Sequence, residues 1–266
     1  MGIAEEHAAI FACGLATQGL RPYVAIYSTF MQRCVDMIEH DAALQKLPVR
    51  FCMDRAGLSP DDGPTHHGLF DISMLRVIPQ LVMMQPKDEA EFCNMLATMN
   101  GICDRPSAIR YPRGAGEGVP LPQQPQPLPI GKAEVLAEPA GALVALVALG
   151  NMNHLADQVR HLLAEQGVEC AHINARFIKP LDDECLLRFA RQCRLVVTLE
   201  DHSIVGGFGS AVAESLMRAG CCTEVLTVGW PDAFVEHGTL ERLRERYGLT
   251  PTAVAQRIQQ ALASDS

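Results

Sequence analysis

Short apolar runs alternate with longer segments of helical spacing along most of this 266-residue chain. In the first half the apolar runs cover residues 23–27, 49–53 and 81–84, and the helical segments cover residues 7–19, 29–45 and 86–99. Strands that alternate with helices are typical of βαβ units, whose parallel sheet is covered by helices on both faces. Because the second half repeats this alternation, the sequence predicts an α/β fold with two three-layer α/β/α domains.

A proline-rich segment separates the two halves. Five prolines lie within residues 120–129, with glutamines between them and no charged residue. This composition favours a stiff, extended spacer over a packed helix or strand. We therefore expect a first domain over residues 1–119, a linker over residues 120–132 and a second domain over residues 133–266.

Composition argues against several classes of partner. The 31 acidic and 22 basic residues give a formal net charge of −9, whereas a nucleic-acid binder needs a basic surface. No apolar run approaches the roughly 18 residues of a membrane span, and the first residues carry two acids instead of the basic start of a signal peptide. The ten cysteines include no C-x-x-C pair, so we expect reduced thiols and a cytoplasmic protein.

Polar and aromatic residues cluster where the predicted strands of the first half end. These clusters cover residues 27–33, 54–57, 62–68 and 110–114. Open α/β sheets bind ligands beyond the carboxyl ends of their strands, so these clusters are candidate site segments. His66 and His67 have no cysteine or acid at ligand spacing, so we predict no metal site in this chain and favour a histidine with acid–base chemistry.

Taken together, the clusters resemble one enzyme family. The motifs G-I-A-E-x-H-A, V-A-I-Y-S-T-F-x-Q-R, D-R-A-G, D-G-x-T-H-x-G and R-Y-P-R-G occur in that order. Their order and spacing resemble the 1-deoxy-D-xylulose-5-phosphate synthases, which are thiamine diphosphate enzymes related to transketolase. The second half agrees through R-F-I-K-P-L-D and G-G-F-G-S. The resemblance therefore covers essentially the whole chain and implies transketolase-like pyrimidine-binding and C-terminal domains.

The resemblance also implies roles for individual residues. Glu5 matches the catalytic glutamate that hydrogen-bonds the aminopyrimidine of the cofactor, and burial beside that ring is expected to raise its pKa. His66 matches a second catalytic residue. The expected cofactor-binding residues are Glu5, Tyr27 and Phe30. The expected substrate-binding residues are Arg33, Arg55, Asp62 and Arg113, of which the three arginines would surround a phosphate.

One element of the family is not found in this sequence. The family's amino-terminal half carries a G-D-G…N element that binds Mg²⁺ and the diphosphate, and no such element occurs here. The expected cofactors are thiamine diphosphate and Mg²⁺, with the metal ligands on a separate N-terminal domain or chain. The expected substrates are pyruvate and glyceraldehyde 3-phosphate. We further expect a homodimer, and no synthase activity from this chain alone.

Three interpretations stay open at this stage. The chain is the C-terminal part of such a synthase, or a subunit of a split transketolase or a 2-oxoacid dehydrogenase E1 β-like chain, or a non-catalytic truncated fragment. The role of the turn Gly206-Gly207-Phe208-Gly209 also has two interpretations. A glycine turn before a helix resembles a phosphate-binding loop, but a tight structural turn has the same appearance.

Overall fold

The computed structural model describes residues 2–264, which form two five-stranded sheets with helices around them. The strands are β1 (Tyr23–Tyr27), β2 (Arg50–Asp54), β3 (Val82–Met84), β4 (Ser107–Arg110), β5 (Glu134–Ala137), β6 (Val144–Ala148), β7 (Cys170–Asn174), β8 (Phe177–Lys179), β9 (Leu195–Ser203) and β10 (Glu224–Trp230). The first sheet has the order β1-β2-β4-β3-β8 and the second the order β10-β9-β6-β7-β5. Each sheet is parallel except for one edge strand, β8 in the first and β5 in the second.

Eight α-helices accompany these strands in the described part of the chain. They are α1 (Glu5–Thr17), α2 (Asp71–Leu75), α3 (Glu89–Gly101), α4 (Met152–Ala164), α5 (Asp183–Gln192), α6 (Phe208–Arg218), α7 (Leu240–Arg246) and α8 (Pro251–Ser264). Asp88 and Asp182 precede α3 and α5, and each carboxylate accepts a backbone N–H of the first turn. Such caps satisfy donors that a helix start leaves free. None of the helices within residues 2–264 has both the length and the apolar character to span a membrane.

Alternate residues of each strand pack into different cores, as the pleat requires. In β6, Ala145 and Val147 face the core shared with α5 and α6, whereas Val144 and Leu146 face the core shared with α4 and α8. The first sheet divides in the same way between α1 on one face and α3 on the other. Both sheets are therefore covered on two faces, and the predicted pair of three-layer α/β/α domains is confirmed.

Strand β8 belongs to the second half of the chain but completes the sheet of the first half. It pairs antiparallel with β3, with Met83 opposite Lys179 and Met84 opposite Phe177. The Gln85 N–H donates to the carbonyl of Arg176 at 2.9 Å, which extends the pairing beyond β3. Its three residues end in Lys179 and are followed by Pro180, so they lack the continuous apolar run that predicted β3, and the sequence did not predict this strand.

The proline-rich segment contains no helix or strand between residues 111 and 133, as expected of a spacer, but it is packed against α3. The Glu89 carboxylate accepts backbone N–H groups of three successive residues, Glu117 to Val119, at 2.6 to 3.0 Å. Asn94 and Thr98, further along α3, accept the backbone N–H groups of Gln126 and Leu128. Side chains of α3 therefore accept hydrogen bonds from backbone N–H groups that do not pair with any strand. The domain boundaries placed around this segment stay predictions.

Residues 29–45 differ from the single helix that their spacing predicted. A 3₁₀ segment covers Ser28–Cys34 and a π-helical segment covers Met37–Ala43. Apolar spacing identifies a helical segment, but the hydrogen-bond pattern also depends on how side chains such as Met31 and Ile38, both buried, fit the core. The sequence also did not predict helix α2, which is little more than one turn, or strand β5, which has four residues. Elements this short do not show a clear helical or strand period.

A buried ion pair lies at the junction of the two domains. Arg110, the last residue of β4, and Asp71, the first residue of α2, are both fully buried. The guanidinium donates from Nε to Asp71 Oδ2 at 2.9 Å and from Nη2 to Oδ1 at 3.1 Å. Arg110 also donates to the carbonyl oxygen of Asp201 in the second domain at 3.1 Å. The pair therefore joins the first sheet to β9.

We expect Asp71→Asn to lower the free energy of unfolding by about 3 kcal/mol, because a buried guanidinium then loses its counter-charge. The measurement is urea unfolding of the chain followed by circular dichroism. Asp104→Asn is the control, since Asp104 pairs with Arg105 on the surface and such pairs contribute little. Equal unfolding midpoints for the two variants would contradict the assignment.

Candidate active site

The predicted site segments meet at the carboxyl edge of the first sheet. Tyr27 ends β1 and lies opposite Asp54, which ends β2. Strand β4 lies next to β2 and leads into Tyr111 and Arg113. Because these three strands are adjacent and parallel, their ends bring the segments around residues 27, 54 and 111 together, as the sequence predicted.

Glu5, Tyr27 and Phe30 line one groove between α1 and β1. The groove has a volume of about 520 Å³, and most of its other lining side chains are apolar, among them Ala8 and Phe11. The side chain of Glu5 is only 12% exposed and is the acidic group of this groove. Flat apolar surfaces beside one carboxylate suit an aromatic heterocycle with a ring nitrogen that can be protonated.

The aromatic part of the site is a layered stack. The rings of Tyr27 and Phe30 are 5.9 Å apart and inclined by 19°. His66 meets Phe30 edge-on at 5.4 Å, and the guanidinium of Arg55 lies 4.0 Å above the Tyr27 ring. Offset and edge-on contacts of this kind hold rings in defined orientations. His66 is also held by its own loop, since its Nδ1 is 2.8 Å from Thr65 Oγ1.

Glu5 forms an ion pair instead of standing alone. Arg33 Nη1 donates to Glu5 Oε2 at 2.9 Å. The backbone N–H of Glu5 and this guanidinium hold the pKa of the Glu5 carboxyl below its usual value. In this arrangement hydrogen bonds to the charged form outweigh desolvation, whereas the raised pKa expected of Glu5 beside a bound cofactor ring stays a prediction. Arg33 faces Glu5, apart from the other two predicted phosphate-binding arginines.

Those two arginines converge on Asp62. Arg55 Nη1 donates to Asp62 Oδ2 at 2.6 Å, and Arg113 Nη1 donates to the same oxygen at 2.8 Å. Arg113 is 42% exposed at its side chain, and Asp62 is 27% exposed. Asp61 Oδ2 also lies 3.8 Å from Arg113 Nη1, so two guanidinium groups face two carboxylates and the formal charges balance. Each guanidinium keeps N–H donors beyond the one bonded to Asp62, and these donors can bind an anionic group.

Two further residues of these segments lack their full complement of hydrogen bonds. Oδ1 of Asp54 is buried without a partner, and burial raises the pKa of this carboxyl. His67 is buried, its Nδ1 accepts the backbone N–H of Ser59 at 3.1 Å, and burial lowers the pKa of its imidazole. His67 thus shapes the loop, whereas His66 faces the aromatic stack. Within residues 2–264, no three His, Cys, Asp or Glu side chains are grouped as a metal site would require.

In the glycine turn of residues 206–209, backbone N–H groups already donate to a side chain of the same domain. Glu200 in β9 accepts the backbone N–H groups of Phe208 at 2.6 Å and Gly209 at 2.8 Å. These are the donors at the start of α6 that a phosphate would otherwise use. Burial raises the pKa of Glu200 to about 7. The structure therefore favours the tight structural turn over a phosphate-binding loop.

Sequence reasoning missed a group of polar residues beneath the site. Gln85, Asn151 and Asp201 join Arg110 and Asp71 at the domain junction. The one available signal was position, because Gln85 directly follows β3 and Asn151 follows the glycine that ends the β6 segment. Contact partners that lie 25 to 66 residues apart leave no local pattern to recognise.

Comparison with known proteins agrees with this geometry. Residues 1–117 match the family model of the transketolase pyrimidine-binding domain, and residues 131–254 match that of the transketolase C-terminal domain. The 1-deoxy-D-xylulose-5-phosphate synthase of Acidobacterium capsulatum is 55% identical over 97% of this chain, and that of Methylacidiphilum infernorum is 52% identical over 94%. The chain spans only 41% and 39% of those two relatives.

Solved structures give the same result. A structure described as a split gene transketolase, in the form of an inactive beta4 tetramer, is 33% identical with a TM-score of 0.87, and the match covers 99% of this chain and 83% of that one. The transketolase of Campylobacter jejuni, at 20% identity and a TM-score of 0.74 over 95% of this chain and 38% of that one, shares the fold. The chain therefore belongs to the transketolase family, as a pyrimidine-binding domain followed by a transketolase C-terminal domain.

Proposed function

We propose that this chain is the carboxyl-terminal part of a 1-deoxy-D-xylulose-5-phosphate synthase. The complete enzyme would condense pyruvate with glyceraldehyde 3-phosphate, with loss of CO₂, using thiamine diphosphate and Mg²⁺. A separate N-terminal domain or chain would bind the metal and the diphosphate. We also keep the predictions that the assembly is a homodimer and that the chain is cytoplasmic.

One observation carries the proposal. Glu5 lies in the same groove as the Tyr27 and Phe30 rings, and an arginine pair around Asp62 lies at the neighbouring strand ends. An acid beside stacked rings suits an aminopyrimidine, and the arginine pair suits a phosphate. The high identity to synthases over nearly the whole chain supports the same assignment.

The residues of the groove would hold the pyrimidine end of the cofactor. Bound thiamine diphosphate supplies the carbanion chemistry that breaks the carbon–carbon bond of pyruvate. Phe30 and Tyr27 would provide ring surfaces, and the Glu5 carboxylate would hold a proton at the ring nitrogen that faces it. The backbone N–H of Glu5 and the Arg33 guanidinium both favour the charged carboxylate, so they would keep Glu5 ionised before a ring binds, and Arg33 would also orient it.

The loop of residues 54–68 would bind the acceptor substrate. Arg55 and Arg113 would turn their free donors to the phosphate of glyceraldehyde 3-phosphate, while Asp62 fixes the spacing of the two guanidinium groups. His66, held edge-on to Phe30, would exchange a proton with a substrate oxygen. Burial of the phosphate between two arginines would also exclude water from that side.

A second candidate is a subunit of a split transketolase. It is favoured by the match to the split gene transketolase, of which this chain covers 83%. That chain is described as inactive in its beta4 form, which is consistent with a need for a second chain. The two candidates differ in substrate, since a transketolase would use a ketose donor where a synthase uses pyruvate.

We expect the purified chain to form no product from pyruvate and glyceraldehyde 3-phosphate with thiamine diphosphate and Mg²⁺. Addition of the separately produced N-terminal half of the Acidobacterium capsulatum synthase is expected to restore CO₂ release and product formation, because it completes the diphosphate site. Mass spectrometry of the product is the measurement. Turnover by the chain alone would refute the inactivity, and turnover of a ketose donor in place of pyruvate would favour the split transketolase.

In the restored assembly, Glu5→Gln is expected to lower kcat by about 100-fold or more, because an amide cannot hold the proton in the same way. Glu6→Gln is the matched control, since it removes the neighbouring acid and leaves the groove unchanged. Steady-state kinetics of both variants give the comparison. Similar losses from the two substitutions would argue against a specific role for Glu5.

Arg113→Leu is expected to raise KM for glyceraldehyde 3-phosphate by about 10-fold or more, because a charge-assisted hydrogen bond to the phosphate is lost. KM for pyruvate should change little. Arg105→Leu, which removes an exposed arginine paired with Asp104, is the control. Equal effects on both substrates would place Arg113 outside the phosphate site.

A further inference from the structure

A series of directed hydrogen bonds runs from the first domain into the second. Arg110 Nη1 donates to Gln85 Oε1 at 2.5 Å, and Gln85 Nε2 donates to Asn151 Oδ1 at 3.1 Å. Asn151 Nδ2 then donates to Asp201 Oδ2 at 3.0 Å. Arg110 and Gln85 are fully buried and Asp201 is nearly so. The backbone is built around the series, since a Cβ on Gly150 would lie 2.2 Å from Gln85 Cδ.

The two ends of this series set its direction. A guanidinium can only donate hydrogen bonds and a carboxylate can only accept them, whereas each amide between them does both. Gln85 must therefore turn its oxygen to Arg110, and Asn151 must turn its oxygen to Gln85. An amide at position 201 has only one oxygen, so its NH₂ group would face a donor, either Asn151 Nδ2 or the two N–H groups that donate to Asp201 Oδ1. The Asp201 carboxylate thus completes the series with one oxygen and keeps its second oxygen as an acceptor.

Asp201 also holds the loop that carries the candidate substrate residues. Its Oδ1 accepts the backbone N–H of Leu58 at 3.2 Å and the indole N–H of Trp230 at 2.7 Å. The loop approaches so closely that a Cβ on Gly57, whose φ is +83°, would lie 2.1 Å from Asp201 Oδ2. Asp62 and His66 follow Leu58 by four and eight residues. The start of the loop is therefore fixed by a residue of the second domain.

A second contact from the same domain fixes the middle of the loop. His237 Nε2 lies 3.1 Å from the carbonyl oxygen of Asp61, the residue before Asp62. The second domain thus holds the loop at Leu58 and again at Asp61, and these two points flank the segment that leads to Asp62.

We propose that Asp201 is a positioning residue, through which the C-terminal domain sets the orientation of the substrate loop over residues 57–68. Asp201 contacts the loop backbone and acts on substrate only through Asp62 and His66. The substrate part of this inference rests on the proposed function. The loop part does not, because it concerns contacts within this chain.

The first test is hydrogen–deuterium exchange of the isolated chain, read by mass spectrometry of peptides from residues 57–68. Asp201→Asn is expected to raise the exchange rate of these amides by about tenfold or more, because a buried donor pair replaces a hydrogen bond to a charged group. Glu214→Gln is the control, since it removes another contact between the domains, that of Arg76 with Glu214, away from the loop. Exchange equal to that of the unmodified chain would overturn the proposal.

A double variant separates hydrogen-bond direction from general loss of stability. Asn151→Asp combined with Asp201→Asn exchanges the carboxylate and the amide, so that every link again has one donor and one acceptor. We expect this double variant to return the loop exchange close to its original rate. Asn151→Ala, which cuts the series without changing Asp201, should raise the exchange by a few-fold and serves if Asp201→Asn does not fold. Failure of the double variant to restore exchange would contradict the directional argument.

The second test uses the assembly restored with the N-terminal half. There Asp201→Asn is expected to raise KM for glyceraldehyde 3-phosphate several-fold with a smaller change in kcat, and the double variant should reverse this. A loss of folded protein alone would lower the apparent kcat and leave KM unchanged, which would contradict positioning. If the unmodified chain is not activated at all, the proposed function fails, and the exchange measurements still decide the role of Asp201.

Discussion

The fully buried ion pair of Asp71 and Arg110 is the interaction on which the arrangement of the two domains depends. A guanidinium removed from water is tolerated only where each donor meets an acceptor. Here the acceptors come from α2, from the end of β3 and from the backbone of β9. The need to satisfy one charge thus brings three parts of the chain to one point, directly below the strand ends that carry the site.

Above that point, charge is divided between two separate groups. Glu5 and Arg33 form one pair at the groove, and Arg55, Asp62 and Arg113 form the other cluster. The sequence placed the three arginines in one phosphate site, since it could not show that Arg33 has a carboxylate of its own. This division separates the charged pair of the groove from the arginine cluster at the neighbouring strand ends.

Much of the fold was predictable because it depends on local pattern. Strand β1 was predicted with its observed bounds, and β2 and β3 within one residue, because buried parallel strands are short apolar runs. The location of the site at the ends of β1 and β2 followed from the same reasoning. What could not be predicted depends on distant partners. No local pattern indicates that Asp71 lies beside Arg110, or that Glu5 pairs with Arg33, 28 residues away.

The crossing of β8 into the first sheet has a mechanical consequence. Strand β8 prevents the two domains from moving apart as rigid bodies, because such a rotation would first have to break its hydrogen bonds with β3. Lys179 reinforces this bond by donating to the carbonyl oxygen of Arg76 at 2.8 Å. The two domains are therefore joined through backbone pairing as well as through side-chain contacts.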